Sequence, residues 1–470
     1  MEIIHISAEC YPVAKVGGLA DVVGALPKYQ NKLGHIAKVV VPAYDTKFIR
    51  ENAFEVVYDA WGNYGNHWFS FRVLKEKTNK LGFDLYLVHI PGLTDRPSVY
   101  GYQDDTERFI AFQIAALDWI SQWEHRPDVL HFHDHHTGLG PFMTANCVKY
   151  QHLKETATVL TIHNAQYQGQ FGWDKLYYIP AFDLWKSGLL EWEGDINPLA
   201  SGIKCAWRVT TVSPSYLEEM RYNARGLESL FNYERGKCVG ILNGIDTEVW
   251  NPATDPMLSK NFEIKTVEAG KLANKKLVCG VFGLDFNKPL FVFIGRLVDE
   301  KGADLLPDVF YDSLHYHRDK INILVLGSGD NDVEHRLNDI KNVHGANYNV
   351  YIGYNEQLSH QLYAGADFLL MPSRVEPCGL NQLYSLRYGT IPIVRRIGGL
   401  KDTITDVGDG GFGICFDQTS IYDITDGISR AVGLYGDKKK FKAIRKTIMK
   451  IDHSWDKAAT EYIELYQILN

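Results

Sequence analysis

Short apolar, β-branched runs alternate along the chain with stretches in which apolar positions recur every three or four residues. The first series comprises Ile3-Ile4-His5-Ile6, Lys38-Val39-Val40-Val41, Asp84 to Ile90, Val129-Leu130-His131-Phe132, Thr158 to Ile162 and Arg208 to Val212. The second comprises Leu290 to Ile294, Ile321 to Leu326, Val350 to Ile352, Phe368 to Met371, Ile391 to Val394 and Gly413 to Phe416. Apolar runs of this length suit parallel strands covered on both faces. Interleaved with helical patterns, they predict an α/β chain with two doubly wound parallel sheets. Between the series, Asn243-Gly244 and Asn251-Pro252 are turn signals around a segment of weak periodicity. The domain boundary is expected there, with residues 1–242 on one side and 243–455 on the other. Trp455 to Leu469 carries apolar residues at Ala458, Tyr462, Ile463, Leu465, Tyr466 and Leu469 and reads as an amphipathic helix.

A chain of 470 residues exceeds what one core usually supports, and at roughly 150 residues per domain two large domains fit best. Hydrophobic content of 45% and 23% charged residues are ordinary for a globular protein. The net charge of −8 argues against a nucleic-acid or acidic-membrane partner, so an anionic substrate would need a local basic site. Seven scattered cysteines without a C-x-x-C pair suit reduced thiols. The start of the chain lacks the basic and apolar regions of a signal peptide, and no run approaches the ~20 apolar residues of a membrane span. A cytoplasmic location is expected.

Behind the strand Phe368 to Met371, a polar stretch places Glu376 immediately before a predicted helix start. Pro377 suits the first helical position, where its missing N–H is not needed. Leu380, Leu383, Tyr384 and Leu386 supply an apolar face and Gly389 a left-handed stop. Strand, polar turn and helix together present free N–H groups to an anion at the carboxyl edge of a parallel sheet. After the first strand, Lys15-Val16-Gly17-Gly18 precedes Leu19, Val22, Val23 and Leu26 at helical spacing. The glycines would open a helix N-terminus to an anion, with Lys15 as a mobile charge; the alternative is a tight turn with a solvated lysine. The motif is neither a dinucleotide fingerprint nor a P-loop.

Arg296 and Lys301 follow another strand and could clamp a diphosphate, unless Asp299 and Glu300 merely neutralise them. His131-Phe132-His133-Asp134-His135-His136 invites a metal reading. However, His131 and His133 would share one strand face while the others fall in the loop, and no cysteine or second carboxylate group completes a ligand set. Asp134, at the strand end, is the better candidate for substrate contact. His163 ends a further strand as an edge histidine or a cleft residue. Asp104-Asp105 could be read as a metal-binding pair for a nucleotide-sugar, but capping a helix from Glu107 to Trp119 is the preferred reading, since acidic residues are favoured in a first helical turn.

Together, Lys15 to Gly18, His133 to His136, His163-Asn164, Asn243 to Pro252, Arg296 with Lys301, and Glu376 to Leu380 closely resemble the bacterial glycogen synthases and plant starch synthases. Their order and spacing span nearly the whole chain. The resemblance implies the GT-B architecture: two Rossmann-like domains around a deep cleft. Residues 1–242 would be the acceptor side and 243–455 would bind the nucleotide-sugar, with a final helix, 456–470, crossing back to the first domain. It also implies retaining transfer of glucose from a nucleotide-glucose to the non-reducing end of an α-1,4-glucan such as glycogen, without a metal or other cofactor. ADP-glucose is the usual donor in this family, and UDP-glucose is the alternative.

By motif, the resemblance implies that Lys15, Gly17 and Gly18 approach the donor's diphosphate from the first domain while Arg296 and Lys301 hold it from the second. Asp134 and His163 would line the glucose and acceptor side, Tyr354 would lie against the nucleobase, and Asn243 would meet the sugar. Glu376 would contact the transferred glucose, with the amides of Gly379 and Leu380 facing its hydroxyls or the phosphates and Cys378 beside them. His135 departs from the family, which commonly has tryptophan there. No paired carboxylates at short spacing are evident, so attack on the leaving-group face is preferred to a covalent intermediate. A small-acceptor transferase, a glucan-binding protein and a phosphorylase are the competing readings. The diphosphate clamp disfavours the second, and the third would need a pyridoxal phosphate lysine.

Overall fold

The computed structural model describes residues 1–469. The chain divides into two compact units, one of Met1–Gly244 with the segment that begins at Trp455, the other of Ile245–Ser454. The first unit holds strands β1 (Glu2–Ile6), β2 (Ile36–Pro42), β3 (Phe54–Tyr64), β4 (His67–Glu76), β5 (Asp84–His89), β6 (Val129–His133) and β7 (Ala157–Ile162). A small hairpin of β8 (Glu191–Trp192) and β9 (Asp195–Ile196) is followed by β10 (Arg208–Thr211) and β11 (Cys238–Gly240). Nine of these form one sheet in the order β11-β10-β7-β6-β1-β2-β5-β4-β3. The seven from β11 to β5 are parallel and β7 is buried throughout, which is why their sequences are apolar runs rather than alternations.

The antiparallel pair β3–β4 lies outside the predicted elements. Its strands are half exposed and alternate, and its signal was the two-residue connection Gly65-Asn66, in which Gly65 takes φ 57°. The helix predicted from Glu107 runs from Asp105 to Ile120, with Asp104 at its N-cap and Asp105 in its first turn as expected, but neither carboxylate makes a side-chain cap bond to the helix. Arg96 takes both oxygens of Asp104 at 2.7 Å each, while Asp105 accepts from the N–H groups of Gly101 and Tyr102. A bidentate guanidinium simply outcompetes a backbone N–H for that carboxylate.

The second unit carries β12 (Leu290–Ile294), β13 (Asn322–Gly327), β14 (Tyr348–Ile352), β15 (Phe368–Met371), β16 (Ile391–Arg395) and β17 (Ile414–Phe416). They form an all-parallel sheet in the order β14-β13-β12-β15-β16-β17. Asn243 and Gly244 remain with the first unit, two residues beyond the turn-based boundary. Ile245 begins the second by donating its N–H to His453 O at 2.8 Å. The last helix runs from Trp455 to Gln467. Trp455, Ala459, Tyr462 and Ile463 pack in one buried cluster with Val22, Ala25, Leu26 and Tyr29 of the Gly18–Lys32 helix. Among the described residues no helix is long and apolar enough to cross a membrane.

Candidate functional site

The parallel part of each sheet reverses its winding between two central strands, and loops beyond the carboxyl ends of such strands form a crevice suited to ligands. In the first unit these are β1 and β6, whose loops carry the Lys15 motif and Asp134. In the second they are β12 and β15, whose loops carry Arg296 with Lys301 and Glu376.

Beyond β1, Gly17 is the extended residue before the Gly18–Lys32 helix, and the space a side chain would take there is open to 4 Å. Lys15 is not the mobile charge expected: its Nζ lies 2.7 Å from Asp21 on the helix's first turn. Nor are all the loop amides bare. Glu9 accepts from Val16 N–H at 2.6 Å, Gly17 N–H at 3.0 Å and Tyr100 Oη–H at 2.7 Å. Burial raises its pKa despite those donors. Sequence reasoning passed over Glu9, although a carboxylate three residues past a buried strand was a visible signal.

Asp134 follows β6 with φ 57° and ψ −176°, a region that ordinarily belongs to glycine. Holding it there costs of order 1–3 kcal/mol and is the kind of strain that gathers at functional sites. Its Oδ1 accepts from the N–H groups of His163 at 2.7 Å and Asn164 at 3.4 Å, so the carboxylate ties the end of β6 to that of β7. Desolvation pushes its pKa up to about 7, against the pull of those N–H groups. His163 is buried, which lowers its pKa to about 3, and its Nε2 lies 3.0 Å from His133 Nδ1.

His131 and His133 stack on one strand face at 4.3 Å, and His5 of β1 joins them. One nitrogen of each of the three lies within 4.8 Å of the others. These imidazoles are engaged with one another, with Gln30, with Tyr466 and with Thr161, as a hydrogen-bonded core network would be. His135 is half-buried and its ring packs where a side chain at Gly169 would stand. Asn243 is buried with its Oδ1 unpartnered among the described residues, an acceptor suited to a ligand hydroxyl.

In the second unit, Lys301 Nζ lies 2.8 and 2.7 Å from the two oxygens of Glu376, and Ser373 Oγ–H donates to Glu376 Oε2 at 2.8 Å. Glu376 is 5% exposed. Arg296 lies 3.5 Å from Glu300, so both cations have a carboxylate partner. Pro377 does not begin a helix. The helix spans only Asn381–Arg387, and Glu376 to Leu380 form a loop in which Gly379 takes φ 73°. The loop is held from outside: Gly399 N–H donates to Glu376 O at 3.1 Å, and Gln382 Nε2 donates to the carbonyls of Cys378 and Gly379. Among the described residues no acceptor takes the N–H of Gly379 or Leu380. Cys378 is buried, whereas Tyr354, past the end of β14, is 73% exposed.

Residues 2–233 match the family model of the starch synthase catalytic domain, and residues 280–447 match that of the group 1 glycosyl transferases. The glycogen synthase of Flavobacterium johnsoniae is 59% identical over 471 residues, covering 100% of this chain and 99% of the relative. The catalytic domain of starch synthase IV from Arabidopsis thaliana, solved with ADP and acarbose, superposes with a TM-score of 0.91 at 32% identity, covering 99% of each chain. A sucrose-phosphate synthase from Thermosynechococcus elongatus shares the fold alone, with a TM-score of 0.63 at 14% identity over 100% of this chain and 98% of that one. The two parallel Rossmann-like sheets are those of the GT-B fold, and the chain belongs to the glycogen synthase and starch synthase family of glucosyltransferases.

Proposed function

We propose that the protein transfers glucose from ADP-glucose, with retention, to the non-reducing end of an α-1,4-glucan, lengthening glycogen. The observation that carries this reading is the Lys301–Glu376 pair at the switch point of the second sheet. As the sugar–phosphate bond breaks, negative charge grows on the diphosphate and positive charge on the ring. Arg296 and Lys301 answer the first, and Glu376, lying beside the transferred glucose, tolerates the second. The free N–H groups of Gly379 and Leu380 are offered to phosphate or sugar oxygens, with Cys378 shaping their loop, and Tyr354 is offered to the nucleobase.

In the first unit, Lys15 and the backbone of Gly17 and Gly18 are the groups offered to donor phosphate, while Asp134, His163 and Asn243 are offered to sugar hydroxyls. Lys15 would have to exchange Asp21 for phosphate, a trade between two anions of like strength. Glu376 is held by Lys301 and Ser373, so it stabilises and positions rather than attacks. The acceptor's proton then passes to a donor phosphate oxygen on the same face. The cations named supply the charge, and the reading assigns no task to a metal or other cofactor. Among the described residues all seven cysteines are unpaired, which agrees with a reducing cytoplasm.

The test is a donor panel of ADP-glucose and UDP-glucose with glycogen, reading nucleotide release and polymer gain together. Matched release and gain with ADP-glucose are expected. Release without gain, or gain only with UDP-glucose, overturns the reading.

A further inference from the structure

His163 is the last of three imidazoles in a buried line. His163 Nε2 lies 3.0 Å from His133 Nδ1, His133 Nε2 lies 3.0 Å from His5 Nδ1, and His5 Nε2 lies 2.8 Å from Gln30 Oε1. The three rings come from the ends or middles of β7, β6 and β1, adjacent strands of one sheet, while Gln30 reaches in from the helix that opens at Gly18. Gln30 is fully buried. Its amide nitrogen points to Tyr466 Oη at 3.4 Å, and Tyr466 Oη lies 2.6 Å from His131 Nδ1.

A neutral imidazole has one donor and one acceptor nitrogen, so a line of them can carry only one direction of donation at a time. An amide oxygen accepts and cannot donate. Facing Gln30 Oε1, His5 must be protonated on Nε2, which makes its Nδ1 an acceptor. His133 must then donate from Nε2 and accept at Nδ1, and His163 in turn must donate from Nε2. Burial favours the neutral form of all three rings. His163 is left with a bare lone pair on Nδ1, which no group takes among the described residues.

We propose that Gln30, acting through His5 and His133, is a positioning residue that fixes His163 as the Nε2–H tautomer and so presents Nδ1 as a hydrogen-bond acceptor to a hydroxyl of the bound sugar. The proposal rests on the reading of His163 as a sugar contact. It gives the buried histidines a purpose beyond packing: they relay the orientation of one amide to one ring nitrogen. The other tautomer would turn that nitrogen from acceptor to donor, so the hydroxyl would have to rotate and accept there, giving up the bond its own proton makes to Nδ1.

The test is a long-range proton–nitrogen spectrum of the full chain labelled with ¹⁵N-histidine, which reports the tautomer of each ring without turnover. His5, His133 and His163 are expected as Nε2–H forms, and His163 found as Nδ1–H overturns the proposal even if no variant folds. Gln30→Met, which keeps the volume but removes both polar atoms, is expected to mix the tautomers of His163 and lower kcat/KM about tenfold. Gln30→Glu, which keeps an acceptor for His5, is expected to restore the Nε2–H signal and most of the activity. An unchanged His163 signal in Gln30→Met, or a mixed signal with full activity, also overturns it. The tautomers are read without donor or acceptor, so failed transfer from ADP-glucose with the expected spectrum would count against the functional reading alone.

Discussion

Lys301 and Glu376 form a closed ion pair across the switch point of the second sheet, joining residues 75 positions apart. Removing the lysine leaves a buried carboxylate supported by Ser373, and an unpaired buried charge costs more than the loss of both partners. Lys301→Ala is expected to lower kcat/KM by about 10²–10³. It should also reduce stability by about 1–3 kcal/mol more than the double variant Lys301→Ala/Glu376→Gln. Activity assays with a urea-unfolding double-mutant cycle check both, and a fully active Lys301→Ala enzyme would refute the clamp.

The carboxyl group of Asp134 is shifted up from an ordinary 3.8 to about 7 by burial. Below pH 3.8 the folded and unfolded chains both hold the proton. As pH rises from about 4 to 7 the unfolded chain releases it first, so the contribution to stability is lost across that window and is constant above it. Asp134→Asn keeps an acceptor for the His163 N–H and removes the titration. The stability of the wild type relative to this variant is expected to fall by up to about 4 kcal/mol between pH 4 and pH 7. Urea unfolding at several pH values measures it, and a pH-independent difference would sink the assignment.

Glu9 satisfies two loop amides and a phenol at once. Glu9→Ala strands all three and is expected to cost at least about 2 kcal/mol, with Glu9→Gln between it and the wild type. Because the same amides shape the loop before Gly18, the KM for donor should rise more than kcat falls in Glu9→Gln. Unfolding curves and donor titrations test the two halves separately.

Gly398 takes φ 46°, and a Cβ there would run into the carbonyl oxygen of Glu376. Gly398→Ala must therefore move the backbone that carries the carboxylate without touching its side chain. A loss of about 3 kcal/mol is expected from strain and overlap, together with a fall in kcat approaching that of Glu376→Ala. Wild-type kcat in folded Gly398→Ala would show that the placement of Glu376 is not limiting.

Much of the fold was legible because parallel strands buried on both faces leave apolar runs, and each of the twelve runs became a strand within two residues of its predicted ends. The β3–β4 pair escaped because its pattern is an alternation with one wet face. The strand-end residues of the candidate site stood out in the sequence, since polar groups past a buried run are conspicuous. Their partners were not. Nothing in the spacing shows that Lys301 meets Glu376, because that contact is made by the adjacency of β12 and β15. Likewise Gln30, His5 and His133 belong to three elements whose meeting depends on strand order. Pro377 misled because a proline can begin a helix or stiffen a loop, and here the packing of Gly398 and Gly399 against Glu376 and Cys378 selects the loop.

The return of the last helix to the first unit governs the order in which the molecule can be finished during synthesis. Val22, Ala25, Leu26 and Tyr29 wait for Trp455, Ala459, Tyr462 and Ile463, and His131 waits for Tyr466. On the ribosome these partners emerge only after all of Ile245–Ser454 has been made. The N-terminal unit therefore spends most of translation with an uncovered apolar face on its Gly18–Lys32 helix. The second unit, contiguous in sequence, is the one that can be completed first.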